Sequence, residues 1–513
     1  MTTAPDPYDL LIVGGGINGA GIACDAAGRG LSVALAEQDD LASATSSASS
    51  KLIHGGLRYL EYYEFRLVRE SLRERDVLLR KAPHIIGQRL FVLPYLHERR
   101  PAWLLRMGLF LYDALAWPTR LPRSAAVDLA GDPLGRPLKP AITKGFVYPD
   151  CWVDDSRLVV LNAVAAAGAG ARVMTRTKLI GAERTGDGWR ATLRDSRSGR
   201  DSTVDARVLV NAAGPWVVRV LDSIKADTNR RRIRLVRGSH LVVPRLYDGQ
   251  QAYILQNPDN RVVFVLPYQD SFSLIGTTEV PFEGDPAQVA MSAAEANYIC
   301  ASVNGYLAKP VTPADAVWSF SGIRPLFDDD ADNPSAVTRD YVLDLDRGAA
   351  DEGAPLLSVY GGKITTYRRL AEHALEKLKP FFPAMGRAWT AGRPLPGGDI
   401  GGDIGGDIGG DIAGDAGRFA AALIKEHPKA DPAALTGLAR RHGSRAGRIA
   451  DAAGGLGRDF GGGLCQGEVD FLIAEEWAET ADDVLWRRTK CGLHMSADQR
   501  RAVADYMSSK RSG

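Results

Sequence analysis

Tyr8 to Val13 is a short apolar run of strand length, and it leads straight into Gly14-Gly15-Gly16-Ile17-Asn18-Gly19. A strand that ends in Gly-x-Gly-x-x-Gly predicts the opening of a dinucleotide-binding βαβ unit. Gly14 makes the tight turn, Gly16 lets the backbone approach a pyrophosphate, and Gly19 lets the next helix pack close to the sheet. The pyrophosphate then lies on unpaired N–H groups at the helix start. The helix continues through the small residues Gly21 to Gly28, and a second strand, Leu31 to Ala36, ends at Glu37. A carboxylate there accepts both hydroxyls of an adenosine ribose and repels a 2′-phosphate. Together these features predict an adenine dinucleotide.

The chain has 513 residues, 45% of them hydrophobic, enough for a large core and two or three domains. With 63 basic and 62 acidic side chains the net charge is +1, which argues against a dedicated nucleic-acid binder. The five cysteines, at 24, 151, 300, 465 and 491, show no paired spacing. That pattern fits a reducing compartment and offers neither a disulfide framework nor a metal motif. The N-terminus lacks the pattern of a signal or transit peptide, and no apolar stretch has the length of a bilayer span.

Three zones are expected. Residues 1–395 mix helices with strand candidates at Arg172–Thr175, Trp189–Leu193, Ala206–Val210, Ser239–Val243, Val262–Leu266 and Ser273–Thr277. A six-strand nucleotide domain cannot hold them all, so a second sheet is expected to hold a substrate above the cofactor. Residues 396–412 contain four Gly-Gly-Asp-Ile units and read as a flexible linker. Their four-residue period does not match the calcium-binding glycine repeat, so no metal is expected. Residues 413–513 carry helical runs at Phe419–Ile424, Glu468–Trp477 and Ala497–Met507, a small all-helical domain.

Two later segments return to the cofactor. A strand from Thr203 to Val210 leads to Asn211-Ala-Ala-Gly214, and Ser358–Tyr360 leads to Gly361-Gly362-Lys363-Ile364-Thr365. A late glycine crossing suits a longer dinucleotide such as FAD, and amides at the second turn suit the polar edge of a flavin. Arg58 and Lys363 stand beside glycine pairs, and Arg324 stands in the otherwise apolar run Phe320-Ser-Gly-Ile-Arg324-Pro-Leu. Converging on one cleft, they would demand a small phosphate or carboxylate.

The runs Ile12–Gly21, Ala44–Glu61, Trp152–Arg157, Ile275–Thr278, Gly322–Pro325, Gly361–Arg368 and Ala481–Lys490 resemble the bacterial aerobic glycerol-3-phosphate dehydrogenases. The resemblance covers nearly the whole chain. The family fold it implies is α/β: a glutathione-reductase-type FAD-binding domain interleaved with a β-sheet substrate cap, plus a C-terminal all-helical domain. The implied reaction is oxidation of sn-glycerol 3-phosphate to dihydroxyacetone phosphate, with electrons passed to membrane quinone. It also implies a cytoplasmic homodimer on the inner-leaflet lipid surface. The Gly-Gly-Asp-Ile tract departs from the family pattern but touches no quoted site residue.

Carried over by position, the resemblance puts Gly14, Gly16, Gly19 and Glu37 on the ADP half of FAD. Thr45, Ser46, Ser50, Leu52, Ala213, Gly214, Gly362 and Thr365 fall near its pyrophosphate, ribityl or ring portions. Arg58, Tyr59, His240, Arg324 and Lys363 form the substrate set, and His54, Arg324 and Lys363 the catalytic one. His54 is the first choice of base, because imidazole titrates near neutrality, and His240 is the alternative. Arg99 to Trp117 fits an interfacial membrane helix or a buried core helix, and Arg230 to Arg234 fits lipid headgroups or solvent. An amino-acid oxidase of related fold, an RNA-modifying flavoprotein and a flavin sensor remain as competing classes.

Overall fold

The computed structural model describes residues 6–96, 101–224, 233–327, 340–348, 353–400 and 414–512. Arg99, Arg100, Arg230 to Arg232 and the tract from 401 to 412 lie outside them.

Strand Tyr8–Val13 sits mid-sheet, parallel to Val33–Ala36 on one side and to Asp201–Asn211 on the other. Leu356–Tyr360 extends the parallel set beyond Asp201–Asn211, and Arg172–Met174 extends it beyond Val33–Ala36. Leu10, Leu11 and Ile12 are fully buried. Their alternation explains why: Leu10 and Ile12 pack with helix Ile17–Gly28, whereas Leu11 and Val13 face the opposite core with Trp189 and Leu209. Burying each such side chain stabilises the fold by roughly 1.5–3 kcal/mol. Helices Asp155–Gly168 and Tyr367–Leu378 pack beside Ile17–Gly28.

A ten-stranded second sheet is assembled from segments interleaved with the first. Its long axis is strand Ile233–Pro244, antiparallel both to Phe272–Gly276 and to Trp318–Phe327, with His240 opposite Phe320 and Val236 opposite Arg324. All six strand candidates are strands.

Beyond residue 414 the three expected helical runs coincide with helices Gly414–Glu426, Gln466–Glu476 and Ala497–Ser512, except that Trp477 lies one residue past its helix, around a core that includes Leu435, Leu438, Val469 and Leu472. One short antiparallel pair, Asp459–Gly461 with Leu464–Cys465, joins them. The start of the glycine-rich tract differs from the expected loose linker. Gly397 and Gly398 are buried, and Ser444 Oγ donates to Asp399, because the chain wedges between Lys81 and the turn at His442 to Ser444, where a β-carbon would not fit.

Candidate active site

The parallel strands end at the cofactor turn. Gly14 has φ +110°, and a β-carbon there would stand 2.5 Å from the carbonyl oxygen of Ala212, so the approach of the two strand ends requires glycine. A β-carbon on Gly19 would overlap the Gly14 carbonyl oxygen. The helix that follows has no side-chain cap and no acidic residue in its first turn. Ile17 N–H donates to Ser46 Oγ at 3.0 Å, and Asn18 Nδ2 donates to the Gly361 carbonyl at 3.0 Å. Asn18 Oδ1 is buried with no hydrogen-bond partner among the described residues. An open helix start and a glycine cradle fit the pyrophosphate segment of FAD.

Glu37 closes the next strand. Its carboxylate accepts from Gly15 N–H at 2.6 Å and from Asp39 N–H at 2.8 Å. Burial outweighs these donors and pushes its pKa up to about 7. Asn211 braces the late crossing, its Nδ2 donating to Val217 O at 2.9 Å, and Gly214 turns the chain at φ +55°.

Between the two sheets lies a cleft of ≈ 550 Å³. Thr45, Ser46, Ser50, Leu52, His54 and Tyr59 line it from one stretch of chain, His240 and Arg324 from the cap, and Gly362, Lys363 and Thr365 from the turn after Leu356–Tyr360. Widely separated segments thus converge. Thr45 Oγ1 donates to the Ile323 carbonyl at 2.7 Å, tying that loop to the cap. Ala213 and Gly214 do not line this cleft and stand at the cofactor turn.

His54 N–H donates to Thr365 Oγ1 at 3.3 Å, and its ring meets Phe264 edge to face. Burial lowers its pKa; Asp150 opposes this and Lys363 adds to it. His240 is 2% exposed, with Nε2 2.9 Å from Ser50 Oγ and its ring stacked on Phe320. Burial, then Arg324 and Lys51, hold its pKa well below the ordinary value. Both imidazoles are therefore neutral, able to accept a proton, in the neutral pH range.

The cations differ in placement. Arg324 Nη1 donates to Thr278 O at 3.3 Å and Nη2 to Thr277 Oγ1 at 3.2 Å. It passes over Gly238, where a β-carbon would lie 2.5 Å from Nη2. Lys363 Nζ lies 3.5 Å from the centroid of the Tyr59 ring, which attracts the ammonium electrostatically. Arg58 stands at the rim instead: it faces Glu279 at 4.0 Å and Tyr62 at 3.4 Å and does not line the cleft. Arg261, Glu279 and Asp340 line the cleft and escaped the sequence reading. Glu279 directly follows the quoted run Ile275–Thr278, a signal that stopped one residue short.

Helix Ala102–Ala116 departs from the core-helix reading of its segment. Trp103, Met107 and Phe110 are 66%, 53% and 67% exposed, so it is no core helix. Leu109 and Tyr112 anchor its inner face. Tyr62 and Tyr63 on the neighbouring turn, with Phe65 beyond, extend the exposed apolar surface. No helix among the described residues is long and apolar enough to cross a membrane.

The sequence profile of the FAD dependent oxidoreductase family matches residues 9–368, and that of the C-terminal domain of alpha-glycerophosphate oxidase matches 388–511. The chain is 50% identical to the D-erythritol 1-phosphate dehydrogenase of Brucella abortus, over 98% of each chain. It is 49% identical to the aerobic glycerol-3-phosphate dehydrogenase of Escherichia coli, over 97% of each. The crystal structure of the glycerol-3-phosphate dehydrogenase from Bacillus halodurans complexed with FAD has the same fold, with TM-score 0.73, 23% identity, and coverage of 98% of this chain and 94% of that one.

Proposed function

Because the chain belongs to the FAD-dependent oxidoreductases, alongside the bacterial aerobic glycerol-3-phosphate dehydrogenases, we propose that it oxidises sn-glycerol 3-phosphate to dihydroxyacetone phosphate. The observation that carries this reading is the cleft itself, where Arg324, Lys363, His54 and His240 meet beneath the cap. Cations in so enclosed a site favour an anionic ligand, and a secondary alcohol needs a base.

In this reading Gly14, Gly16, Gly19 and Glu37 hold the ADP half of FAD, with Ala213 and Gly214 beside it. Thr45, Ser46, Ser50, Leu52, Gly362 and Thr365 hold the remainder. Bound FAD supplies a two-electron acceptor for the hydride that leaves C2. Arg324 and Lys363 bind the phosphate and favour alkoxide character at C2, with Tyr59 fixing the ammonium and Arg58 screening the rim. His54 takes the hydroxyl proton. It is less enclosed than His240, whose Nε2 is already engaged by Ser50.

The electrons pass to membrane quinone, and the exposed face of helix Ala102–Ala116 lies in the inner leaflet of the cytoplasmic membrane. The face carrying Trp103, Met107 and Phe110 supports this.

A second substrate is favoured by one observation. The Brucella relative is named for a four-carbon polyol phosphate, and Glu279 at the rim offers a carboxylate to an added hydroxyl. Anaerobic mixing with each phosphate, following flavin absorbance, tests both. Bleaching by glycerol 3-phosphate is expected; bleaching by erythritol 1-phosphate alone would transfer the assignment, and bleaching by amino acids would overturn it.

A further inference from the structure

The run Ala481–Lys490 lies far from the cleft in sequence, yet its cations converge on the loop that lines it. Arg487 Nε donates to Asp40 at 2.5 Å, and Arg488 clasps the same carboxylate through two bonds of 2.6 and 2.8 Å. Lys490 Nζ donates to Ser156 Oγ at 2.5 Å and lies 3.5 Å from Asp154. Asp154 and Ser156 flank Asp155, which accepts from Ser49 Oγ at 2.7 Å and from Lys51 Nζ at 2.9 Å. One end of the segment Asp40–Lys51 is thus held directly, and the other through the start of helix Asp155–Gly168.

We propose that Arg487, Arg488 and Lys490 are positioning residues for the flavin, making the C-terminal domain a working part of the cofactor site. This rests on the FAD reading above. The held segment carries Thr45, Ser46 and Ser50, and Ser50 in turn meets His240. A second cleft of ≈ 550 Å³ runs along the other side of the segment, with Arg487 and Trp486 opposite Asp39 and Trp216. It shares Thr45, Ala48 and Gly322 with the first, so part of the segment stands as a wall between two spaces, and its placement depends on the contacts made at its two ends.

The chemistry of the contacts supports placement over simple adhesion. Asp40, Arg488 and Lys490 are at most 1% exposed. Apolar side chains of similar volume would glue two domains as well or better, whereas buried ion pairs accept a narrow range of geometries. The turn Asp483–Arg488 is π-helical, a rare form that is frequent at functional sites. It delivers two successive arginines to one carboxylate.

The test uses the full-length protein, deflavinated and retitrated with FAD. Arg487→Gln and Lys490→Met are each expected to raise the FAD dissociation constant about tenfold or more, as loss of supporting contacts around a bound group does, and to shift the visible flavin spectrum. Lys490→Arg restores part of the affinity. Arg441→Gln is the control, since its pair with Glu468 lies wholly within the C-terminal domain; it should lower heat stability alone. Dissociation constants within about twofold of the parent, with an unshifted spectrum and lowered heat stability, would overturn the proposal and leave these residues as scaffold. Should Arg487→Gln fail to fold, Arg487→Lys and Asp40→Glu give the same reading by milder means. A parent protein that binds no FAD would instead sink the cofactor reading.

Discussion

Ser50 Oγ and His240 Nε2 lie 2.9 Å apart, a bond that joins the cofactor loop to the substrate cap. It occupies one nitrogen of His240 and leaves His54 as the less engaged imidazole. His54→Ala should therefore slow anaerobic flavin reduction by about 10²–10⁴-fold while FAD is retained. A near-normal rate in that variant, with a large loss in His240→Ala, would move the base to His240.

Both histidines titrate below the ordinary value of 6.5, chiefly because burial disfavours the charged ring. Each stays deprotonated and competent as pH falls toward 6.5. The rate of flavin reduction should stay level from about pH 8 to 6.5 and fall only at lower pH. An acid limb centred at or above 6.5 would mean that neither ring is the base in its present setting.

Arg324→Ala should cost roughly 2 kcal/mol or more in kcat/KM, a factor of about 30, because an enclosed phosphate loses charge-assisted hydrogen bonds. Flavin content should hardly change, since Arg324 hydrogen-bonds Thr277 and Thr278 in the cap. Steady-state kinetics alongside flavin absorbance separates the two effects. Unchanged efficiency would assign this arginine to the fold alone.

Glu37 gives the FAD-free protein a pH signature. Its folded-state pKa is raised from 4.5 to about 7, so the folded chain binds this proton more tightly than the unfolded chain does. The resulting stabilisation, up to about 3 kcal/mol, is complete below pH 4.5 and is lost as pH rises to 7. Thermal unfolding of deflavinated protein should show the parent losing more stability over this range than Glu37→Gln. Parallel curves would contradict the assignment.

The exposed apolar face predicts a separation of activities. Phe110→Glu should cut co-sedimentation with anionic lipid vesicles and lower quinone reduction, because a charge would have to enter the acyl boundary. Turnover with a soluble dye should remain near the parental rate. Equal loss with dye and quinone would mean that the helix supports the cleft and has no separate lipid role.

Local pattern carried much of this architecture. Tyr8 to Glu37 announced a strand, a glycine turn, a helix and a second strand, because each follows from near-neighbour physics. The candidate cations Arg58, Arg324 and Lys363 are legible singly, but the meeting of Arg324 and Lys363 in one cleft is a property of two interleaved sheets. Arg58 stops at the rim, where Glu279, in the connection that follows strand Phe272–Gly276, faces it. Helix Ala102–Ala116 was ambiguous because an apolar face looks the same in sequence whether it meets a core or a bilayer. Gly397 and Gly398 misled for the opposite reason: glycine permits disorder, but it also permits the closest packing of backbone on backbone.

The parallel sheet has a consequence for how the chain is made. Strand Tyr8–Val13 is synthesised early, yet its neighbour Asp201–Asn211 follows nearly the length of a whole domain later, and Leu356–Tyr360 later still. Until residue 211 clears the ribosome, one edge of Tyr8–Val13 has no native partner, and the glycine turn has no Ala212 carbonyl to close against. Pairings this distant in sequence are slow to form and leave strand edges exposed meanwhile. The nascent protein thus passes through a long interval in which its first strand is complete, apolar and open-edged, when protection by a chaperone would matter most.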